Sequence, residues 1–435
     1  MRRLLGIVLA AAGVTALVAP TASADDTGGR FSVLTYNVAG LPEPLSGSNP
    51  ARNTPLIGAR VRGYDVVNVQ EDFNHHAALY AADDHAHRTP TSGGVPFGDG
   101  LNTLSAHPYE DFTRVKWNRC NGTDCLTPKG FTFARLRLAE GVHVDLYNVH
   151  ANAGSTDADL AARRANITQL SEYVARNSAG NAVIVMGDTN TRYTRAGDNI
   201  RDLVHPRGLT DAWVELVRGG VEPAAGTPAL TCDPHNVTTA CEVVDKVFYR
   251  DNAFVDLTAT AYRNDHSAFL DPEGEPLSDH YPHAVEFTWR LADHLRMSDQ
   301  VGGPGGTPFT DVDAVTPGAA VREVTLSGGA RLDRVGLTLA DGTALGHGGA
   351  GGTPTTLTLE PGERLTSATV TRGQRDGRTR VFSVRITTDR GRTVAAGTPT
   401  ADAVTFTAPD GRHIAGFTGR SGTEVDRLGV IYTRS

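Results

Sequence analysis

A chain of 435 residues is too long for one ordinary domain, so we expect two or three. Hydrophobic residues make up 39% of the chain, which is enough for folded cores. The formal net charge is −8, from 49 acidic and 41 basic residues, and this balance disfavours a protein whose general surface binds polyanions.

The first 24 residues have the order of a secretory signal. A pair of arginines precedes an apolar run from Leu4 to Val18, and small residues at 22–24 close the segment. This run is too short for a comfortable membrane span, although a retained anchor is the alternative. We therefore expect a secreted, extracellular protein whose mature chain begins near Asp25.

Strands and helices alternate over the following 270 residues or so. Apolar spacing predicts helices at 52–62 and 158–176. Apolar runs predict strands at 31–38, 65–71, 130–138, 142–150, 182–188, 243–249 and 285–289. This order favours a mixed α/β sandwich of two packed sheets with outer helices.

Polar residues lie at or beside the ends of these strands: Asn37, Glu71, His150, Asp188, Asp245 and His280. Strand ends that gather in space form a cleft with a rigid floor. Oxygen ligands from Glu71 and Asn37 suit Mg²⁺ or Ca²⁺ better than zinc. We therefore expect a metal site at this edge of the sandwich.

The remaining polar residues of the cleft fit acid–base chemistry. Asp188 and Asn190 are two positions apart and so share one face of an extended segment. His150 and His280 can each donate to a phosphate or act as a base, and Asp245 can fix the tautomer of one of them. A metal, an oriented base and donors to an oxyanion are the groups that phosphodiester hydrolysis needs.

The four cysteines form two local pairs, Cys120 with Cys125 and Cys232 with Cys241. In an exported protein, such pairs predict two short-loop disulfides. A shared zinc site is the alternative, but the spacings do not match common zinc fingers.

Composition changes near residue 300. The run Gly302-Gly303-Pro304-Gly305-Gly306 is a loop or linker signal, and short stretches rich in Thr, Val and Gly replace the helical pattern beyond it. We expect an all-β module of modest size there.

Six short motifs occur in order along residues 31–290, and together they resemble the endonuclease/exonuclease/phosphatase superfamily. They are Thr35-Tyr36-Asn37-Val38, Gln70-Glu71, Asn148-Val149-His150, Gly187-Asp188-Thr189-Asn190, Val244-Asp245-Lys246-Val247-Phe248 and Ser278-Asp279-His280-Tyr281-Pro282. Within this superfamily the chain resembles bacterial neutral sphingomyelinases most, because Lys129-Gly130-Phe131 follows a cysteine-bearing loop. Deoxyribonuclease I-like nucleases share the core motifs and remain the other branch.

This resemblance implies a two-sheet α/β sandwich of the deoxyribonuclease I-like type, with a role for each site residue. Glu71 would hold the central Mg²⁺ with Asn37 beside it, and Asp279 would support the metal or His280; Ca²⁺ and Mn²⁺ are alternative ions. His280 would activate water, oriented by Asp245. Asp188 and Asn190 would position water and phosphate, and His150 would donate to the phosphate.

The resemblance also points to one difference. Sphingomyelinases of this type carry an aromatic-tipped hairpin that dips into membranes. Here the corresponding stretch, residues 264–274, is short and acidic, and only Phe269 and Leu270 could insert.

The C-terminal region resembles the jacalin-related lectins, which form a β-prism of three sheets. The resemblance is carried by the glycine run 302–306 and by residues 419–432, which include a Gly-x-x-x-Asp loop. It implies a sugar site at Gly303, Gly422 and Asp426, with the carboxylate accepting sugar hydroxyls. A β-prism that has lost sugar binding is the alternative.

We therefore predict a signal peptide at 1–24, a catalytic domain at 25–293, a linker at 294–301 and a lectin domain at 302–435. The preferred function is a monomeric, Mg²⁺-dependent phosphodiesterase of the phospholipase C type that acts on phospholipid head groups, sphingomyelin first, and binds glycans through the lectin domain. The alternatives are a secreted nuclease and a lectin whose first domain is inactive.

Overall fold

The computed structural model describes residues 27–43, 45–46, 48–93 and 98–434. The predicted signal peptide lies outside these residues. Among the described residues, we find no helix with the length and hydropathy of a bilayer span.

Twelve strands form two six-stranded sheets in the N-terminal domain. Their bounds are β1 (Gly28–Asn37), β2 (Val66–Gln70), β3 (His87–Arg88), β4 (Asn102–Ser105), β5 (Tyr109–Lys116), β6 (Gly130–Ala139), β7 (Val142–His150), β8 (Val183–Asp188), β9 (Thr210–Asp211), β10 (Asp245–Arg250), β11 (Val255–Asn264) and β12 (His283–Leu291). The strand orders are β11-β12-β1-β2-β4-β3 and β5-β6-β7-β8-β10-β9. The predicted two-sheet sandwich is therefore confirmed.

Helices cover the outer faces of this sandwich. They are α1 (Pro50–Val61), α2 (His76–Ala82), α3 (Asp157–Asn177), α4 (Arg201–Val204) and α5 (Ala212–Arg218). Thr156 begins α3 with a reciprocal capping box to Asp159, which satisfies backbone donors at the helix start. The buried face of α3, with Ile167 and Leu170, packs in one cluster with Phe131 of the second sheet.

Strand direction decides where the cleft forms. β1 is parallel to β2, and β7 is parallel to β8, so the carboxyl ends of these four strands lie at one edge of the sandwich. β10 and β12 are antiparallel to their neighbours β8 and β1, so their first residues lie at the same edge. The sequence pattern predicts site residues at or beside strand ends. The structure places this edge at the ends of four strands and at the beginnings of two others.

A buried polar network joins the two sheets beneath that edge. Gln70 Nε2 donates to Asn148 Oδ1 at 2.8 Å, and Asn148 Nδ2 donates to the Val69 carbonyl at 3.0 Å. Asn68 Nδ2 donates to the Tyr147 carbonyl at 3.0 Å, again across the two sheets. Because a buried amide is costly when it is unpaired, these bonds fix the register of one sheet against the other.

Thirteen further strands form the C-terminal domain, whose predicted all-β character is confirmed. They are β13 (Leu295–Met297), β14 (Val301–Gly302), β15 (Thr307–Thr310), β16 (Val321–Gly328), β17 (Leu332–Leu339), β18 (Ala344–Gly348), β19 (Thr353–Thr358), β20 (Leu365–Arg375), β21 (Arg378–Thr388), β22 (Thr393–Gly397), β23 (Asp402–Thr407), β24 (Arg412–Ser421) and β25 (Val425–Arg434). They make three sheets of five, four and four strands.

The predicted linker at 294–301 is wrong as a free connection. Leu295–Met297 and Val301–Gly302 are strands paired with β25, so the prism domain begins within the predicted linker. The glycines at 302–306 dominate the composition near residue 300, so the two short strands beside them were not predicted. Their partner, β25, lies more than 100 residues later in the chain.

Ion pairs join the two domains. Arg427 of the prism contacts both carboxylate oxygens of Asp111 in β5, at 2.7 and 2.8 Å, and the side chains of both residues are almost fully buried. Arg137 makes a similar fork to Asp299, whose carboxylate also accepts the Gly141 backbone N–H at 2.9 Å. Buried apolar residues of the two domains form one connected cluster, so the prism packs directly against the sandwich.

Candidate active site

Strand register places three predicted site residues side by side. His150, the last residue of β7, is the register partner of Asp188, the last residue of β8. Asp188 is in turn the partner of Asp245, the first residue of β10. All three are almost completely buried, and Asp188 lies between His150 on one side and Asp245 on the other.

The first sheet contributes Asn37 and Glu71 to the same place. Asn37 Nδ2 lies 3.1 Å from Glu71 Oε1, 3.3 Å from Asp188 Oδ2 and 3.4 Å from His280 Nε2. Asn37 Oδ1 accepts the Ala39 backbone N–H at 3.0 Å, so the amide nitrogen is the atom that faces the carboxylates. Asn37 therefore lies at the centre of the predicted group.

Glu71 occupies a conformation that an extended strand would not give it. It follows β2 directly and has φ of 58°, in the left-handed region that non-glycine residues seldom adopt. The turn places its Oε1 atom 3.8 Å from His150 Nε2. Positive φ at a non-glycine residue is typical of sites where geometry is fixed by function.

His280 forms the predicted pair with Asp245. Its Nδ1 atom lies 2.8 Å from Asp245 Oδ2, and its Nε2 atom lies 3.9 Å from Asp188 Oδ2. Burial lowers the pKa of His280, but the carboxylates of Asp245 and Asp188 outweigh burial and hold that pKa well above its usual value. This arrangement orients the ring and leaves Nε2 toward the cleft.

The other buried groups have shifted pKa values of different sign. Burial is the largest cause that raises the pKa of Asp188, to about 6, and the nearby Asp245 carboxylate adds to it. Burial, with the charges of Lys129 and His280, holds the pKa of His150 well below its usual value. Two histidines in one cleft are thus separated into a neutral ring and a strongly basic one, as in sites that divide acid and base roles.

The donor set fits a hard cation. Carboxylates of Glu71 and Asp188 meet at the Asn37 amide nitrogen, with Asp245 beside Asp188, and carboxylate oxygens suit Mg²⁺ or Ca²⁺. Asp188, Asp245 and His280 each offer a ligand atom within 4.8 Å of the others. Asp245 Oδ1 and His150 Nδ1 are buried without a hydrogen-bond partner in the described part of the chain, which is typical of a site completed by a ligand.

Two predicted site residues, Asn190 and Asp279, make other contacts than this group. Asn190, with φ of 52°, donates from Nδ2 to the Ala151 carbonyl at 3.1 Å, while its backbone N–H binds Asp188 Oδ1 at 2.9 Å. Asp279 is exposed and lines a separate depression with Arg52 and Asn53. The adjacent Ser278 instead donates to the Asn37 carbonyl at 2.6 Å, which ties the loop before β12 to β1.

The structure adds supporting residues to which the sequence assigned no role. Lys129 is nearly buried and pairs with Asp124 of the first disulfide loop at 2.6 Å. Trp117 Nε1 donates to the His150 carbonyl at 2.7 Å and so fixes the end of β7. Lys129 belongs to the Lys129-Gly130-Phe131 motif, but nothing in that motif identifies Asp124 as the partner of the lysine.

Both predicted disulfides are present. Cys120 is bonded to Cys125 and Cys232 to Cys241, with Cα separations of 5.3 and 4.9 Å. The zinc alternative is therefore excluded for these residues, and the first disulfide closes the loop that carries Asp124.

The expectation that Phe269 could insert into a membrane is wrong. Phe269 is 2% exposed, and its ring packs edge-on against Tyr36 at 5.0 Å between centroids. A short, acidic loop lets this ring fold back beneath β1 and fill the core beside Leu277.

The predicted sugar residues meet at one end of the prism. Gly303 N donates to the Asp426 carbonyl at 2.8 Å, and Gly422 begins the loop that leads to β25. The Asp426 side chain is buried and forms an ion pair with Arg380 of β21. The loop pair is thus assembled as expected, but its carboxylate has a cationic partner within the protein.

Comparison with known proteins also separates the chain into two parts. Residues 55–221 match the model of Endonuclease/Exonuclease/phosphatase family 2, and residues 298–431 match that of the Jacalin-like lectin domain. A protein of Mycobacterium tuberculosis called Sphingomyelinase is 42% identical over 295 residues, which is 66% of this chain and 58% of the relative. This chain thus spans a little over half the length of that relative.

Two further comparisons concern the separate domains. Horcolin of Hordeum vulgare is 30% identical over 142 residues, which is 31% of this chain and 96% of that protein. The crystal structure of Sphingomyelinase C from Streptomyces griseocarneus aligns with 59% of this chain and 99% of its own, at 22% identity and a TM-score of 0.43. The protein therefore joins a domain of the endonuclease/exonuclease/phosphatase family to a jacalin-like lectin domain.

Proposed function

We propose that this protein is a Mg²⁺-dependent phosphodiesterase of the phospholipase C type, secreted and monomeric, which hydrolyses phospholipid head groups, sphingomyelin first. The observation that carries the proposal is the meeting of His280 and Asp245 with Asn37, Glu71 and Asp188 at one edge of two sheets. An oriented imidazole beside converging oxygen ligands is the combination that activates water against a phosphodiester.

The chain's own residues divide the work as follows. His280 takes a proton from the attacking water at Nε2, and Asp245 holds Nδ1–H and stabilises the imidazolium that forms. His150 stays neutral and offers a ring N–H to a phosphate oxygen as charge develops. Asn190 and Asp188 hold the water and phosphate in line. Glu71 and Asp188 would hold Mg²⁺, with Asn37 beside it and Asp279 supporting from outside, and the bound ion would supply positive charge to the phosphate oxygens.

The choice of lipid over nucleic acid rests on the M. tuberculosis relative and on charge. At 42% identity over 295 residues, the Sphingomyelinase supports a related substrate class. The net charge of −8 offers little general attraction for a polyanion.

Exposed apolar side chains near the cleft supply a contact for lipid. Leu126 is 67% exposed and lies beside the Cys120–Cys125 loop, three positions before Lys129. Leu45 is 66% exposed, and Ser46 beside it donates to the Ala39 carbonyl, close to Asn37. These two leucines replace Phe269 as the proposed lipid contacts.

The prism is proposed to hold the enzyme on glycans. Its match to the jacalin-like lectin model supports this role. Tethering raises the local concentration of substrate without changing the chemistry at the cleft.

The test is a substrate panel with the purified full chain. Sphingomyelin vesicles, phosphatidylcholine vesicles and plasmid DNA are incubated with Mg²⁺ or with EDTA, and released phosphocholine or nicked DNA is measured. We expect Mg²⁺-dependent release from sphingomyelin that His280→Ala abolishes. Mg²⁺-dependent DNA nicking without lipid hydrolysis would establish the nuclease alternative, and no hydrolysis of any substrate would leave only the lectin.

A further inference from the structure

A cavity of about 380 Å³ lies between the sandwich and the prism. The sandwich contributes residues of β5, β6 and α3 to its lining, and the prism contributes residues of β24 and β25. Small-molecule sites in proteins usually have volumes of about 300–1,000 Å³ and often lie at domain interfaces. The chemistry of this cavity therefore indicates what it could bind.

The cavity is distant from the candidate active site. His150 is the last residue of β7, and α3 begins seven residues later at Asp157. Tyr173, which lines the cavity, lies toward the other end of this helix. The helix rises roughly 24 Å between Asp157 and Tyr173, at about 1.5 Å for each residue. A ligand in the cavity would thus occupy a site separate from the cleft.

Arg420 of the prism presents one free donor to the cavity. Its Nε atom donates to the Gly305 carbonyl at 3.1 Å, and its Nη2 atom donates to the Gly306 carbonyl at 3.0 Å. Its Nη1 atom lies 3.9 Å from Asp111 Oδ2 and has no hydrogen bond in the described part of the chain. The backbone of the glycine run therefore fixes this guanidinium and leaves Nη1 available.

Tyr173 of the sandwich presents a second donor. Its ring packs edge-on against Phe131 at 5.0 Å between centroids, which fixes its orientation. Its carbonyl accepts Asn177 Nδ2 at 3.0 Å, whereas its hydroxyl has no hydrogen-bond partner among the described residues. Burial raises the pKa of Tyr173, and the nearby charge of Arg420 opposes this shift. The hydroxyl therefore stays protonated at neutral pH and lies near the guanidinium.

The charges at the cavity wall leave Arg420 without a close counterion. Arg427 binds both oxygens of Asp111, at 2.7 and 2.8 Å, so these two lining residues neutralise each other. Glu110 lies 3.4 Å from Arg427 but does not line the cavity. Within the described part of the chain, Arg420 has no carboxylate closer than 3.9 Å. Two arginines near lining residues in sequence have other partners: Arg114 is paired with Asp99 and Arg176 with Glu172.

We propose that this cavity between the domains binds an aromatic carboxylate. One carboxylate oxygen accepts from Arg420 Nη1 and the other from the Tyr173 hydroxyl, and charge-assisted contacts of this kind are strong. The rings of Phe112 and Tyr173 supply aromatic wall for the body of the ligand. A phosphate monoester carries about 1.5–2 negative charges at pH 7, which exceeds the single charge of Arg420. The bound carboxylate would join a residue of the prism to a residue of the sandwich.

The test is a fluorescence titration of the full chain with 2-naphthoate and, separately, with its neutral amide, 2-naphthamide. EDTA is present, so that no metal ion in the cleft binds the carboxylate. We expect one site per chain. We also expect 2-naphthoate to bind about tenfold more tightly than 2-naphthamide, because hydrogen bonds to a charged group are stronger than those between neutral groups.

Three variants probe the two donors and the space beside them. Arg420→Gln removes the charge, and Tyr173→Phe removes only the hydroxyl, so each should weaken 2-naphthoate binding by about tenfold. Thr113→Trp enlarges an exposed side chain that lines the cavity and should abolish binding while both donors remain. Arg372→Gln is the matched control, because Arg372 is an exposed arginine of the prism that is paired with Asp402. This variant should bind 2-naphthoate as the wild type does.

Three outcomes would overturn the inference. Equal affinity for 2-naphthoate and 2-naphthamide would contradict recognition of an anion. Unchanged binding in Thr113→Trp would place the ligand elsewhere on the molecule. A wild-type chain that binds neither probe at millimolar concentration would leave the cavity without this role. Circular dichroism reports the fold of each variant, and if Arg420→Gln fails to fold, Tyr173→Phe and Thr113→Trp decide the test. Hydrolysis is not measured, so the result is independent of the proposed catalytic function.

Discussion

The cleft of the sandwich and the Asp426 loop of the prism were both located by sequence motifs, yet they differ in electrostatic state. In the cleft, Glu71, Asp188 and Asp245 converge, and Asp245 Oδ1 remains buried without a partner in the described part of the chain. In the loop, the Asp426 carboxylate is already neutralised by Arg380. A motif therefore predicts where a carboxylate lies, and its partners decide whether that carboxylate can receive a ligand.

The largest loss of activity should follow from removing a carboxylate of the cleft. Glu71→Ala should lower phosphodiester hydrolysis by several orders of magnitude with the fold retained, because the main charged ligand of the metal is lost. Activity is assayed with Mg²⁺ and circular dichroism reports the fold. Asp72→Asn is a poor control because Asp72 is buried, so the exposed Glu273→Ala serves instead. Full wild-type activity in EDTA would refute the metal site.

The next effect separates the base from the residue that orients it. His280→Ala should lower turnover by about 10²–10⁴-fold, which is the usual size of a general-base contribution. Asp245→Asn should cost less, because the imidazole remains but is poorly held. His205→Ala, an exposed histidine paired with Glu222, is the control. A folded His280→Ala protein with near wild-type turnover would move the base elsewhere, first to His150.

The pH profile tests the charge of the same pair. Asp245 stabilises the protonated ring and so contributes to holding the pKa of His280 above its usual value. Because the neutral ring is the active base, activity should rise with pH through this pKa. Asp245→Asn removes a negative charge, so the rising limb should move to lower pH. A limb that stays in place, or moves to higher pH, would show that His280 does not control it.

A smaller effect is expected at the Asp426 loop, whose carboxylate is already paired with Arg380. Asp111→Asn removes the charge that holds Arg427, the neighbour of Asp426, while asparagine still tolerates the φ of 57° at this position. We expect the free energy of unfolding in urea to fall by about 1–3 kcal/mol, because the buried Arg427 loses its two shortest carboxylate contacts and keeps Glu110 at 3.4 Å. Turnover on a soluble phosphodiester should not change.

Asp376→Asn is a matched control for this variant. Asp376 has φ of 52° and its side chain is 87% exposed, so its pair with Arg375 should contribute little to stability. Equal destabilisation by the two substitutions would show that the buried ion pair does not stabilise the domain contact.

Much of the cleft was predictable because its signals are local. An apolar run that ends in a polar residue marks both a strand and the edge at which that strand opens, as for His150 and Asp188. The order of the six motifs then implied the two-sheet sandwich. Short cysteine spacings likewise predicted both disulfides.

The rest depends on contacts between distant residues. Nothing in the composition of residues 294–301 indicates that β25, at the end of the chain, pairs with them. Phe269 has the hydrophobicity of a membrane anchor, and only its packing on Tyr36 shows that it belongs to the core. The pair of Arg380 with Asp426 brings together two hairpins, so no single stretch of sequence reports it.

The position of the prism fixes the distance between the domain contact and the cleft. Gly141, immediately before β7, lies against the prism through Asp299, whereas the last residue of that strand, His150, lies in the cleft. The nine residues of β7 span roughly 26 Å, at about 3.3 Å for each step between residues. Since ion pairs and a continuous core join the domains, this span acts as a rigid spacer. If the prism binds glycans and the cleft acts on lipid, as proposed, glycans that stand at different heights above a bilayer would bring the cleft to different distances from the lipid head groups.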